Sequence, residues 1–98
     1  MNKQEKMQFI ISYFPNIHWT VSEYLETQRT LLVYSFKFYE VTIMQASFVV
    51  TDIGCELSVY VCEKSVEFFR ADDVEFPCQV FNEILLNMGA MFLNKVKI

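Results

Sequence analysis

The residues that could do chemistry are few. The chain of 98 residues holds one histidine, His18, and three cysteines, Cys55, Cys62 and Cys78. A cysteine nucleophile needs a base beside it, and His18 brought next to one of these thiols would supply one. The residues around the cysteines match no nucleophile motif, and His18 between Ile17 and Trp19 reads as a structural or surface residue. Structural zinc needs four Cys/His ligands in paired spacings, and this set has no CxxC. Asp72, Asp73 and Glu75 form an acidic string without the glycine and ligand spacing of a calcium loop. Carboxylates just before a helix are better explained as caps that complement its positive end. The GxGxxG, Walker, HExxH and GxSxG patterns are missing, and two glycines in the whole chain leave little for a phosphate-cradling loop. The sequence therefore predicts no enzyme, no metal and no cofactor. A small α+β enzyme with a pocket between helix and sheet stands as the catalytic alternative.

The stretch from Thr30 to Arg70 alternates apolar and polar residues, is rich in aromatics and contains one glycine and no proline. That pattern predicts strands of an antiparallel sheet. Before it, Met7, Ile10, Ile11 and Phe14 recur at helical spacing from Lys3 to Phe14, and Pro15-Asn16 ends the helix. A first strand is expected over His18–Leu25, with a turn at Glu26–Arg29. From Thr30, Leu32, Tyr34, Phe36 and Phe38 share one face. The alternation slips near Glu40 and again before Phe48, which predicts a bulge at Glu40 and a turn or bend at Gln45-Ala46. One long bent strand is the alternative. Strands Cys55–Cys62 and Ser65–Arg70 flank a turn at Glu63-Lys64. A closing helix starts near Pro77 with Phe81, Ile84, Leu85, Met88 and Phe92 as its apolar stripe, and Asn94–Ile98 forms a basic tail. The whole is a single α+β domain over residues 1–98: an N-terminal helix, an antiparallel sheet of four to five strands, and a C-terminal helix packed on one face of the sheet.

Register decides which side chains meet a partner. If Asp52-Ile53-Gly54 is a three-residue loop with Gly54 in the left-handed region, Thr51 pairs with Cys55. If Glu63-Lys64 is a two-residue loop, Cys62 pairs with Ser65. Val49, Cys55, Leu57, Val59, Val61, Val66 and Phe68 then face the helices. Phe48, Val50, Glu56, Ser58, Tyr60, Glu67 and Phe69 face outward, a mix of anchors and carboxylates of the kind found at interfaces. A shift of one residue in the first hairpin would send Phe48 and Val50 inward.

Composition points the same way. The chain is 53% hydrophobic and 16% aromatic, more than so short a domain can hide, so a homodimer or a tight hetero-complex is expected. The net charge is −4. Between Thr51 and Ile84 the acids Asp52, Glu56, Glu63, Glu67, Asp72, Asp73, Glu75 and Glu83 face only Lys64 and Arg70. That balance excludes a phosphate-neutralising stripe and suits a basic protein partner, or mimicry of a nucleic-acid backbone. The N-terminal apolar stretch makes a poor signal peptide, the run Ile84–Leu93 is too short to span a bilayer, and three unpaired-looking cysteines suit a cytoplasmic protein. In size, acidity and exposed aromatics the chain is similar to small acidic binding proteins such as toxin-immunity proteins, phage-encoded inhibitors and secretion chaperones. The expected function is thus a non-enzymatic inhibitor or immunity-type protein that blocks a macromolecular partner with a basic surface. The partner-binding set is Phe48, Val50, Glu56, Tyr60, Glu67, Phe69, Asp72, Asp73 and Glu75. An obligate homodimeric chaperone or adaptor is the alternative.

Overall fold

The computed structural model describes residues 1–61 and 64–96, and their side chains apart from those of residues 38, 64–68 and 88–96. The element order is α1 (Lys3–Tyr13), β1 (Thr20–Tyr24), β2 (Arg29–Phe38), β3 (Val41–Val50), β4 (Cys55–Val61), β5 (Lys64–Ala71) and α2 (Glu75–Val96). The strands form a five-stranded antiparallel meander in the order β1-β2-β3-β4-β5. The expected α+β architecture is present, with an N-terminal helix, a sheet and a C-terminal helix.

Both helices pack on the same face of the sheet. Met7, Ile10 and Phe14 from the α1 region and Val74, Cys78 and Phe81 from the α2 region join Leu32, Ala46, Phe48, Val50, Leu57 and Val59 in one core. Phe81 sits at its centre, with ring centroids 5.2 Å from Phe14, 5.8 Å from Phe48 and 6.0 Å from Trp19. Such tilted and edge-on pairs add stabilisation beyond the area they bury.

Helix α1 begins with a capping box. Asn2 Oδ1 accepts from the Glu5 N–H at 2.9 Å, and Glu5 Oε1 accepts from the Asn2 N–H at 3.2 Å. Its first turns then clamp the β3–β4 turn. The Lys6 ammonium is almost fully buried and donates to the carbonyls of Thr51 and Asp52 at 2.9 and 3.0 Å. The Lys3 N–H donates to Asp52 Oδ1 at 2.7 Å.

The turns depart from expectation in four places. The β3–β4 turn is shorter than a three-residue loop, so Val50, not Thr51, pairs with Cys55. The Thr51 N–H donates to the Gly54 carbonyl and the Gly54 N–H donates to Thr51 Oγ1, which closes the turn around Asp52-Ile53. Gly54 does not have a positive φ. A Cβ there would lie 3.3 Å from the Ala71 carbonyl oxygen, so close approach of β5 is what favours glycine. The second departure is at Tyr39-Glu40, whose φ values of 51° and 67° make a tight two-residue turn between Phe38 and Val41. The bulge lies at Ile43, where the pairing jumps from Phe36–Met44 to Lys37–Thr42, and β3 runs through Gln45-Ala46 unbroken. Third, β4 and β5 pair as Val61–Lys64 and Tyr60–Ser65, then bulge to Val59–Glu67 and Leu57–Phe69. The expected pairing of Ser65 with Cys62 and the expected loop at Glu63-Lys64 do not hold, since Ser65 pairs with Tyr60 and Lys64 already lies in β5 opposite Val61. Fourth, α2 starts at Glu75, with Pro77 already inside its first turn, and residues 94–96 continue the helix rather than forming a tail.

Two outcomes follow. Lys6→Met lowers stability by about 2–3 kcal/mol, because two turn carbonyls lose a charged donor; urea unfolding measures it. Phe48→Ala costs about 3–5 kcal/mol while Tyr60→Ala stays within about 1 kcal/mol, and equal losses would refute the register.

Candidate interaction surfaces

The register sorts the expected partner-binding residues into three groups. Phe48 and Val50 are wholly buried in the core and unavailable to a partner. They point inward because pairing Val50 with Cys55 puts both on the side of Leu57, and side-chain direction alternates with period two. Phe69, opposite Leu57, also packs against the core and stacks edge-on with Phe76. Glu67 pairs with Val59, a helix-facing position, and its side chain lies outside those described. The outward set retains Glu56 and Tyr60. Glu56 is in an ion pair with Arg70, the side chains being 29% and 71% exposed. Solvent on the guanidinium keeps such a pair weak.

Asp72, Asp73 and Glu75 are exposed, and the fold gives them company. The β1–β2 loop, the β3–β4 turn and the link from β5 to α2 all lie at one end of the sheet, since Tyr24 pairs with Arg29, Thr30 with Val50, and Cys55 with Ala71. This pole therefore collects Glu23, Glu26, Asp52, Asp72, Asp73 and Glu75. Asp73 accepts from the Phe76 N–H at 3.3 Å and Glu75 accepts from Gln79, so both also serve the start of α2. Three apolar side chains stand among the acids: Leu25 at 83% exposure, Ile53 at 87% and Phe76 at 47%. A single apolar residue in a turn breaks no periodicity, so no pattern in the sequence marks them as a group. Ile53 is expected in a turn, but its exposure and the loop position of Leu25 emerge only with the fold.

The side of the sheet away from the helices carries different residues. β2 shows Arg29, Leu31, Val33, Ser35 and Lys37 there, between Ser22 and Tyr24 of β1 and Ser47 and Val49 of β3. Ser58 and Tyr60 of β4 and Arg70 of β5 continue it. Charged residues on this face are Arg29, Lys37 and Arg70 against Glu56 among the described residues, so the face is basic where an acidic one was expected.

Among the described residues, no pairing of His18 with a cysteine is assembled. Cys55 and Cys78 are buried, whereas His18 is exposed. Burial pushes the Cys55 thiol up to about 12, with Lys6 opposing and Asp73 and Glu56 adding to the rise. Burial likewise lifts Cys78 to about 12, aided by Cys55 and Glu75. Thiols so raised are poor nucleophiles. Among the described residues no group of three His, Cys, Asp or Glu side chains is placed to hold a metal ion, and no helix is long and apolar enough to cross a membrane.

The raised thiols make a pH dependence predictable. The unfolded thiols ionise first, so this contribution to stability is complete below pH 9.0 and is lost as pH rises toward about 12. Urea midpoints across that window fall less steeply for a Cys55→Ala/Cys78→Ala variant; identical slopes would contradict the burial of the thiols.

Comparison with known proteins adds no relative: no family model, curated protein or solved structure matches this chain.

Proposed function

We propose that this protein is a non-enzymatic binding module of the inhibitor or immunity type, which occludes a basic surface on a macromolecular partner through its acidic pole. The observation that carries the reading is the meeting of exposed Leu25, Ile53 and Phe76 with Glu23, Glu26, Asp52, Asp72 and Asp73 at one end of the sheet. Apolar anchors inside a charged rim are the usual anatomy of a protein interface. The acids speed encounter and select a cationic target, such as a site that otherwise holds nucleic acid, while the apolar tips supply contact area. The pole is also rigid where it matters, because Lys3 and Lys6 hold the turn that presents Ile53. A clamped turn loses little conformational freedom on binding.

The reading is tested by charge reversal away from the caps. A partner captured from the native host by cross-linking should bind Glu26→Lys/Asp72→Lys about tenfold more weakly, and Ile53→Asp by a similar factor. Wild-type affinity should fall as salt rises to about 0.5 M. Affinity indifferent to salt and to all three substitutions would remove the acidic pole from the interface.

A further inference from the structure

A second surface remains without a partner, and its sign is opposite to that of the molecule. The helix-free side of the sheet has an aliphatic middle of Leu31, Val33 and Val49, each only partly buried. Its row on β2 starts with Arg29 and ends with Lys37. Both are exposed, and neither has an ion-pair partner among the described residues. Two shallow depressions of about 400 and about 340 Å3 run onto this side and share Arg29 and Val49 as lining. The chain as a whole carries −4; Arg29 and Arg70 stand at the end of this face that borders the acidic pole, lining one depression with Ile53 and Asp72, while Lys37 stands at the far end.

We propose that this face docks an amphipathic helix of a partner protein, apolar along one stripe and acidic at both ends, laid along β2. Charge complementarity selects the acidic ends. Arg29 and Lys37 stand about 26 Å apart at the rise of an extended strand, which matches a helix of about 17 residues. The aliphatic middle between them fits the apolar stripe, and the neighbouring Ser22, Ser47 and Ser58 are small enough for a helix to approach closely. Helices already cover the opposite face of this sheet, so the docked helix would complete a third layer. Single-stranded nucleic acid fits less well. Its bases need aromatic platforms, and here Tyr24 and Tyr60 stand at the flanks while the middle is aliphatic. This surface borders the acidic pole at Arg29, but Val33 and Lys37 lie beyond it, so Val33→Asp tests the docking face apart from the function proposed for the pole.

The probe is a fluorescent synthetic peptide of about 17 residues with leucines at helical spacing and glutamates at both ends. Two controls carry lysines in place of the glutamates, or the same residues in scrambled order. Fluorescence anisotropy on the full chain should show the acidic peptide binding tighter than either control. Arg29→Glu/Lys37→Glu should weaken it about tenfold, and Val33→Asp should abolish it, with melting curves showing that both variants fold. The proposal is overturned by no binding of the acidic peptide up to about 1 mM, or by equal affinity for a control. An undiminished affinity in the double variant overturns it too. So does a uridine oligonucleotide whose binding the double variant loses, or a dimer in sedimentation that Val33→Asp dissolves.

Discussion

The pairing of Val50 with Cys55 is the constraint on which the rest of this structure depends. A turn closed by Thr51 and Gly54 makes that pairing, and the buried ammonium of Lys6 holds its carbonyls from the side of α1. Because strand side chains alternate, one residue of register assigns every residue of β3 and β4 to a side. It sends Phe48 and Leu57 beneath the helices and turns Val49, Glu56 and Ser58 outward. The β5 pairing then follows β4, with Phe69 inward and Arg70 outward. A turn of two residues, fastened to a helix more than forty positions away in sequence, thus decides what the molecule shows to its surroundings.

The same constraint sorts the charges. With Phe48 and Val50 inside, the open face retains mainly serines, short aliphatics and the cations Arg29, Lys37 and Arg70. Several acids, Glu26, Asp52, Asp72 and Asp73 among them, lie in loops, and a meander brings alternate loops to the same end. The result is a dipolar small protein: an acidic end bearing exposed Leu25 and Ile53, and a broad side that is mildly basic. Neither surface is deep.

Much of the fold was legible in the residues. Helical spacing of Met7, Ile10 and Phe14 and Pro15 as a stop mark α1, while its capping box of Asn2 and Glu5 appeared only with the structure. The alternation after Thr30 marks the sheet, and the acids before Phe76 mark the start of α2. The turns were harder. Tyr39-Glu40 adopts two left-handed residues without the asparagine or glycine that usually announces them, so the phase slip there reads as a bulge. Gly54 announces a turn but sits in it for a steric reason, the nearness of the Ala71 carbonyl, which no local pattern reveals.

The sequence by itself determined the classes of element, their order and the apolar excess, because these depend on near neighbours: spacing along a helix, alternation along a strand, caps at an end. Tertiary structure alone decided the register of β3 on β4, hence which aromatics are core and which acids share a pole. Period-two alternation is unchanged by a slip of one residue, apart from exchanging the two faces. The slip is resolved only by contacts distant in sequence, those of Lys3 and Lys6 with the turn and of Phe81 with Phe48.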